Sequence, residues 1–460
     1  MKPYQKSLFI FRRDLRLFDN TALIKALEES ALVIPCFIFD PRQVTDANAF
    51  KSTNALEFMI ESLKDLHDQL TKHGGKLYLF YGDPAELIKK LITQEEIDAV
   101  YVNKDYTPFS IGRDDSIKKV CTHYDVAFDS CKDALLTEPY EVLTLGNVPY
   151  SVFTPFFKTA SKITVAHPKT FPKISSFYKK PIKFAQSSTI FKKIVPQKNQ
   201  NLWVQGGTSN GKKILRNLKK FKNYAKERDY PALDATTHLS AHNKFGTISI
   251  RQVYHAIADQ LGKNHPLITQ LYWRDFFTHV GYHSPFVFGA PFKQKYEKLT
   301  WNTNKTIFER WCTGTTGFPI VDAGMRQLNA TGFMHNRVRM IVGSFLVKDL
   351  FINWLWGEKY FAQQLVDYDP AVNNGNWQWV ASTGCDSQPY FRIFNPWLQQ
   401  KKFDADCIYI KQWIPELNKI SSQAIHRWYS KHQEYDTEYP KPMVDHAAQS
   451  TMVKAFYKKL

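Results

Sequence analysis

The feature that most constrains this chain is an alternation of short apolar runs and helical segments across residues 7–130. Ser7–Phe11, Ala31–Phe39, Lys76–Phe80, Asp98–Val102 and Val126–Asp129 read as five buried strands. Four helices separate them. Asn20 caps the first, which runs to about Glu29, and Ser52 or Thr53 opens the second, which stops at Gly74-Gly75. Asp83-Pro84 places a cap before a proline at the first helical position, and the fourth helix lies near Ile111–His123. Strands joined through helices pair in parallel, so residues 1–132 form a doubly wound α/β domain. Phe11-Arg12-Arg13-Asp14 stands where a glycine-rich dinucleotide turn would follow the first strand, which excludes that fingerprint.

Periodicity then lapses. Residues 139–200 hold seven prolines, ten lysines and one acidic residue, Glu141, and 133–203 reads as a long interdomain linker over the surface. From 204 to 460 the pattern is helical. Val338, Ile341, Val342, Phe345 and Leu346 fall at i, i+3, i+4, i+7 and i+8, one buried helix face. Val321–Leu328 forms another helix, broken at Thr331-Gly332. The fold class is thus α/β followed by all-α.

At 460 residues, roughly three domains are expected and a large core needs no disulfide staple. Cys36, Cys121, Cys131, Cys312, Cys385 and Cys407 form no C-x-x-C pair and read as thiols in a reducing compartment. The longest apolar run, Ala31–Phe39, is far short of the roughly 20 residues of a bilayer span. Arg12, Arg13, Asp14 and Arg16 also interrupt any signal-peptide core. A cytoplasmic protein is expected. Its net charge of +18 points to a polyanionic partner, nucleic acid first.

Three motifs invite chemistry and are declined. Gly207-Thr208-Ser209-Asn210-Gly211 matches a nucleophile elbow but lacks the preceding strand, which leaves Ser209 as a helix cap. Gly206–Lys213 mimics a phosphate loop but has Lys213 where the magnesium-binding hydroxyl belongs. His238/His242 and His279/His283 sit four apart without a third ligand, so no metal is expected.

The informative strings lie further on. They are Asp367-Tyr368-Asp369-Pro370-Ala371-Val372-Asn373-Asn374-Gly375-Asn376-Trp377-Gln378-Trp379, Met334-His335-Asn336-Arg337-Val338-Arg339-Met340, and Trp273-Arg274-Asp275-Phe276-Phe277. Gly317-Phe318-Pro319-Ile320-Val321-Asp322-Ala323, Pro389-Tyr390-Phe391-Arg392-Ile393-Phe394-Asn395-Pro396 and Arg228-Asp229-Tyr230-Pro231 accompany them, as does Phe11–Arg16 at the start. Together they resemble the photolyase/cryptochrome family of blue-light flavoproteins over essentially the whole chain. The nearest resemblance is to class I photolyases of cyclobutane pyrimidine dimers.

The resemblance implies an antenna domain, a linker and a helical FAD-binding domain. It places Thr236, Thr237, Leu239 and Ser240 at the FAD diphosphate, where unpaired N–H groups of a helix start suit an anion. Tyr224 and Arg274 match further FAD contacts, Arg339 and Asp367 an ion pair beside the flavin, and Asp369 a contact to the ring edge. Asn373 matches the residue facing flavin N5, photolyase-like in type. Trp377, Trp354 and Trp301 match the electron-transfer triad. Trp273 and Trp379 match the rings lining the substrate cavity, while Gln270, Asn336 and Met340 fall at flavin- and lesion-contacting positions. Arg228, Arg337 and Arg392 match positions near the DNA backbone.

The implied activity is light-driven repair. Reduced FAD donates an electron to a flipped-out dimer in double- or single-stranded DNA, the cyclobutane ring splits and the electron returns. A monomer associated with nucleoid DNA is expected. Two departures keep alternatives open. Gln270 stands where dimer repairers usually carry Glu, a feature shared with (6-4) photolyases and animal cryptochromes, which keeps a (6-4) photolyase and a cryptochrome-type photoreceptor in view. Phe109-Ser110 replaces the Asn-Glu pair of the folate pattern, leaving the antenna chromophore open between a deazaflavin, a folate, another chromophore or none.

Overall fold

A computed structural model describes residues 2–172 and 176–459; positions 173–175 of the expected linker lie outside them. Two compact units are distinguished. The first comprises Met1–Asn199, Val204–Lys222 and Thr237–Pro285, and the second Gln200–Trp203, Asn223–Thr236 and Phe286–Leu460.

The first unit is built on five parallel strands: β1 (Tyr4–Phe11), β2 (Ser30–Phe39), β3 (Tyr78–Tyr81), β4 (Ala99–Asn103) and β5 (Ala127–Cys131), in the order β3-β2-β1-β4-β5. β1 is central because its run Ser7–Phe11 is buried on both faces. Crossover helices α1 (Thr21–Glu29), α2 (Thr53–Lys72), α3 (Pro84–Glu95) and α4 (Pro108–His123) link the strands. Asn20, Ser52 and Asp83 cap the first three, each side chain accepting from backbone N–H groups. The fourth begins earlier than its apolar pattern suggests, because Thr107 caps it and Pro108 occupies its first position.

The segment read as a surface linker contributes to this unit's core. Tyr178 N donates to Val33 O and Gln186 N to Leu79 O, which fastens the chain along the sheet edge. Helix α5 (Phe153–Ala160) buries Phe153, Phe156 and Ala160. High lysine and proline content breaks up the spacing of these apolar residues in the sequence. The unit also takes in α6 (Thr208–Arg216), α7 (Ser240–Phe245), α8 (Ile250–Leu261) and α9 (Pro266–His283), so its limits differ from the boundaries at 132 and 204 suggested by composition.

The second unit is helical. Its principal elements are α10 (Lys305–Thr313), α11 (Pro319–Thr331), α12 (Asn336–Ser344), α13 (Trp354–Gln364), α14 (Pro370–Ala381), α15 (Pro396–Phe403) and α16 (His446–Lys458). The predicted face of Val338, Ile341, Val342, Phe345 and Leu346 is fully buried, and the helix continues past α12 as a π-helical turn over Phe345–Asp349. α11 extends the predicted Val321–Leu328 helix at both ends, with Pro319 opening it and Gly332 closing it at φ +68°. All six cysteines are free thiols, five of them buried. Among the described residues, no helix is long and apolar enough to cross a membrane.

Candidate active site

The second unit holds a polar centre organised by α14. Asp369 caps it, its Oδ1 accepting from Ala371 N at 3.1 Å and Val372 N at 3.4 Å, and Pro370 takes the first position. Asp369, Asn373 and Trp377 then recur every four residues, which places them along one helix face. Asn373 is buried and its Nδ2 donates to Glu358 O on α13 at 3.0 Å. Its neighbour Asn374 donates to Glu358 Oε1 at 2.9 Å and Val287 O at 2.8 Å, and Gln378 Nε2 donates to Asn374 Oδ1 at 3.1 Å. Burial pushes the Glu358 carboxyl up to about 7, with the Asn374 amide opposing the shift.

Before this helix, Arg339 on α12 meets Asp367. Its Nη2 lies 3.0 and 3.2 Å from the two carboxylate oxygens, while its Nε donates to Met334 O at 2.8 Å. Three bonds fix the guanidinium in one orientation.

The tryptophans grade from interior to surface. Trp377 and Trp354 are buried in one core, and half-buried Trp301 packs against the same core. Trp377 meets Phe361 edge-on at 4.9 Å and Trp311 at 6.2 Å. Trp301 tilts against Phe351 at 5.0 Å.

At the surface of this unit, exposed Asn336 points its Nδ2 at Met340 Sδ, 3.8 Å away, which confirms that the two share one helix face. Trp379 is half-buried. Arg392 is exposed, whereas Arg337 pairs with Asp229 at 3.0 Å and lies over the Phe403 ring, and Arg228 lies 5.7 Å over Tyr224. Thr236, half-buried, also belongs to this unit.

The first unit carries the other expected site residues. Leu239 is buried and Ser240 exposed at the start of α7, and Leu239 N donates to Thr237 Oγ1 at 3.4 Å. Arg274 Nη1 donates to Ala134 O at 2.6 Å and its Nη2 to Asn243 O at 3.3 Å, contacts that tie α9 to its own unit. Gln270 is half-buried one turn before Trp273, whose indole stacks on Phe153.

The declined motifs resolve as structure. The glycine loop's N–H groups are taken by α2: Gly206 N donates to Glu61 at 2.8 Å, Gly207 N to Ser62 at 3.0 Å and Thr208 N to Asp65 at 2.8 Å. No phosphate competes there with two carboxylates. Ser209 lies inside α6, and Gly207 is the cap because its φ of +98° suits glycine. His279 and His283 bond the carbonyls of Thr137 and Pro139. No cluster of metal-ligating side chains exists among the described residues.

Residues 7–174 match the family described as DNA photolyase, and residues 267–459 match the FAD binding domain of DNA photolyase. A deoxyribodipyrimidine photo-lyase of Alkalihalophilus pseudofirmus is 35% identical over 469 residues, covering 97% of each chain.

The chain belongs to the DNA photolyase family.

Solved structures agree on the fold of this photolyase. An archaeal photolyase from Sulfolobus tokodaii, solved with two FAD molecules, superposes with a TM-score of 0.88 at 42% identity, covering 99% of this chain and 100% of the other. A bacterial class III photolyase from Agrobacterium tumefaciens gives 0.92 at 34% identity, covering 100% and 98%.

The photolyase therefore contains an FAD-binding domain, and its residues fit such a group. The oriented Arg339–Asp367 pair and the buried Asn373 amide present both hydrogen-bonding senses, as a flavin edge needs. Sequence reasoning missed Glu358. Its partners lie 15 and 16 residues away on another helix, and only the Asn374/Gln378 spacing hints at an amide ladder.

Proposed function

We infer that this photolyase is a light-driven DNA repair enzyme that splits cyclobutane pyrimidine dimers. The observation that carries the reading is α14, where Asp369, Asn373 and Trp377 share one face and half-buried Trp379 follows two residues later. When bound, reduced FAD supplies the excited-state electron. The protein's own residues do the rest. Arg339 and Asp367 would hold the cofactor, and the Asn373 amide, held by the Glu358 carbonyl, would offer it a hydrogen-bonding group without adding charge. Trp273 in the first unit and Trp379 in the second each offer an indole on which a flipped base can stack, at roughly 1–3 kcal/mol per base, against an unpairing cost that is least for damaged bases. Trp377, Trp354 and Trp301, which run from buried to half-buried against one core, would relay electrons from the surface toward a bound flavin. The +18 charge and exposed Arg392 favour double- or single-stranded DNA as partner.

The antenna region speaks against a folate and leaves a deazaflavin, another chromophore or none. The two residues that depart from the folate pattern are committed elsewhere: Ser110 Oγ bonds Asp105 at 3.0 Å and Thr107 at 2.9 Å, and exposed Phe109 lies under Arg42. The absorption spectrum of chromophore released from the purified protein tests this choice.

The central experiment is repair yield per absorbed photon, under reducing conditions, on separate oligonucleotides carrying a cyclobutane dimer or a (6-4) lesion. Dimer repair is expected. Gln270 is the one residue that favours the (6-4) alternative. It cannot lend a proton, but its amide still donates a hydrogen bond to a lesion carbonyl. Repair of the (6-4) lesion alone would overturn the substrate assignment, and repair of neither would favour a photoreceptor.

A further inference from the structure

A ring stack in the first unit extends the lesion-binding reading to a residue outside every motif above. Phe153 opens α5, in the segment that the sequence presents as a linker. Its ring lies 3.6 Å from the Trp273 indole, centroid to centroid, with 6° between the planes. Phe157 continues the stack behind it at 5.7 Å and 14°. Phe276 braces both members edge-on, 5.8 Å from Phe153 and 5.7 Å from Trp273. Phe277 meets the indole at a tilt of 30°, so Phe153 is the one parallel partner of Trp273 among the described residues. Phe153 is 7% exposed, whereas Trp273 keeps part of its surface open.

An indole on a helix surface rotates about two side-chain bonds, and a flat ligand that stacks on it must first hold it in one plane. A ring already stacked on one face removes that freedom before binding and limits the ligand to the other face. We propose that Phe153 is a positioning residue for the damaged base: it seals the inner face of Trp273 and presets the plane on which the lesion stacks. α5 is held in turn by the burial of Phe156 and Ala160. The inference rests on the dimer-binding reading of Trp273.

The test measures affinity for an oligonucleotide with one cyclobutane dimer and for its undamaged match, in the FAD-loaded parent, Trp273→Ala, Phe153→Leu and Phe153→Tyr proteins. Phe153→Leu keeps an apolar residue of similar bulk and removes the ring. It should weaken dimer binding by about 3- to 10-fold, the worth of one aromatic pair, with undamaged DNA and FAD content unchanged. Phe153→Tyr, which restores a ring, should restore the preference. A general packing defect would instead lower both affinities and FAD content together, and that result overturns the proposal. With Trp273→Ala losing preference as expected, an unchanged preference in Phe153→Leu overturns the proposal alone. A parent protein or Trp273→Ala variant whose binding does not depend on damage refutes the dimer-binding reading, and this inference with it.

Discussion

Gly357 offers a sharp test of how Trp377 is held. It lies in α13, where alanine would ordinarily be the better residue by about 1 kcal/mol. A Cβ at this position would sit 2.5 Å from Trp377 Cζ3 and 2.6 Å from Leu346 Cδ2, well inside ordinary contact distance. The indole, 3% exposed and wedged between Phe361 and Trp311, has little room to retreat. Gly357→Ala therefore forces a ring displacement of roughly 1 Å and an overpacking cost of about 1–3 kcal/mol. Set against the propensity gain, the net loss is about 0–2 kcal/mol. At roughly 2–4 °C per kcal/mol for a unit of this size, the melting temperature should fall by up to about 8 °C. Thermal melts, indole fluorescence and the rate of light-driven FAD reduction should move together, since one ring underlies all three. A Gly357→Ala protein that melts above its parent, with unchanged fluorescence, would refute the claim that the glycine exists to admit Trp377.

Trp377→Phe should block light-driven reduction of oxidised FAD but leave repair intact once the flavin is reduced chemically; normal photoreduction would remove Trp377 from the electron path. Arg392→Ala should weaken damaged and undamaged DNA alike and flatten the salt slope by about 0.9, while Trp273→Ala should weaken damaged DNA selectively; matched losses of preference would undo the division of roles. Glu358 binds its proton more tightly folded than unfolded, so its contribution to stability is complete below pH 4.5 and disappears as pH rises through about 7. Glu358→Gln should therefore stabilise the protein more at pH 8 than at pH 5, by about 3 kcal/mol across that window, read from chemical denaturation at both values. A difference that does not change with pH would show that this carboxyl is not held up by burial.

Much of this protein is legible from local sequence. β1, β2 and their crossover helices follow from apolar runs punctuated by Asn20, Ser52 and Asp83, because a cap and a strand are satisfied by neighbours a few residues away. The buried face of α12 follows from spacing alone. The alignment of Asp369, Asn373 and Trp377 is likewise written in one contiguous string, and the family in several such strings along the chain. The tertiary structure decided what depends on distant partners. Glu358 has no distinguishing neighbours in sequence, and its raised pKa exists only because the fold buries it away from water, against the opposing bond from Asn374. Gly206-Gly207 looks like a phosphate cradle until Glu61, Ser62 and Asp65, more than 140 residues earlier, are seen to occupy its donors. Phe153 reads as one aromatic in a lysine- and proline-rich connector, and only the fold lays it against Trp273. Periodicity reports which face a residue occupies on its own element, whereas stacking, desolvation and hydrogen-bond competition are set by whichever element arrives opposite.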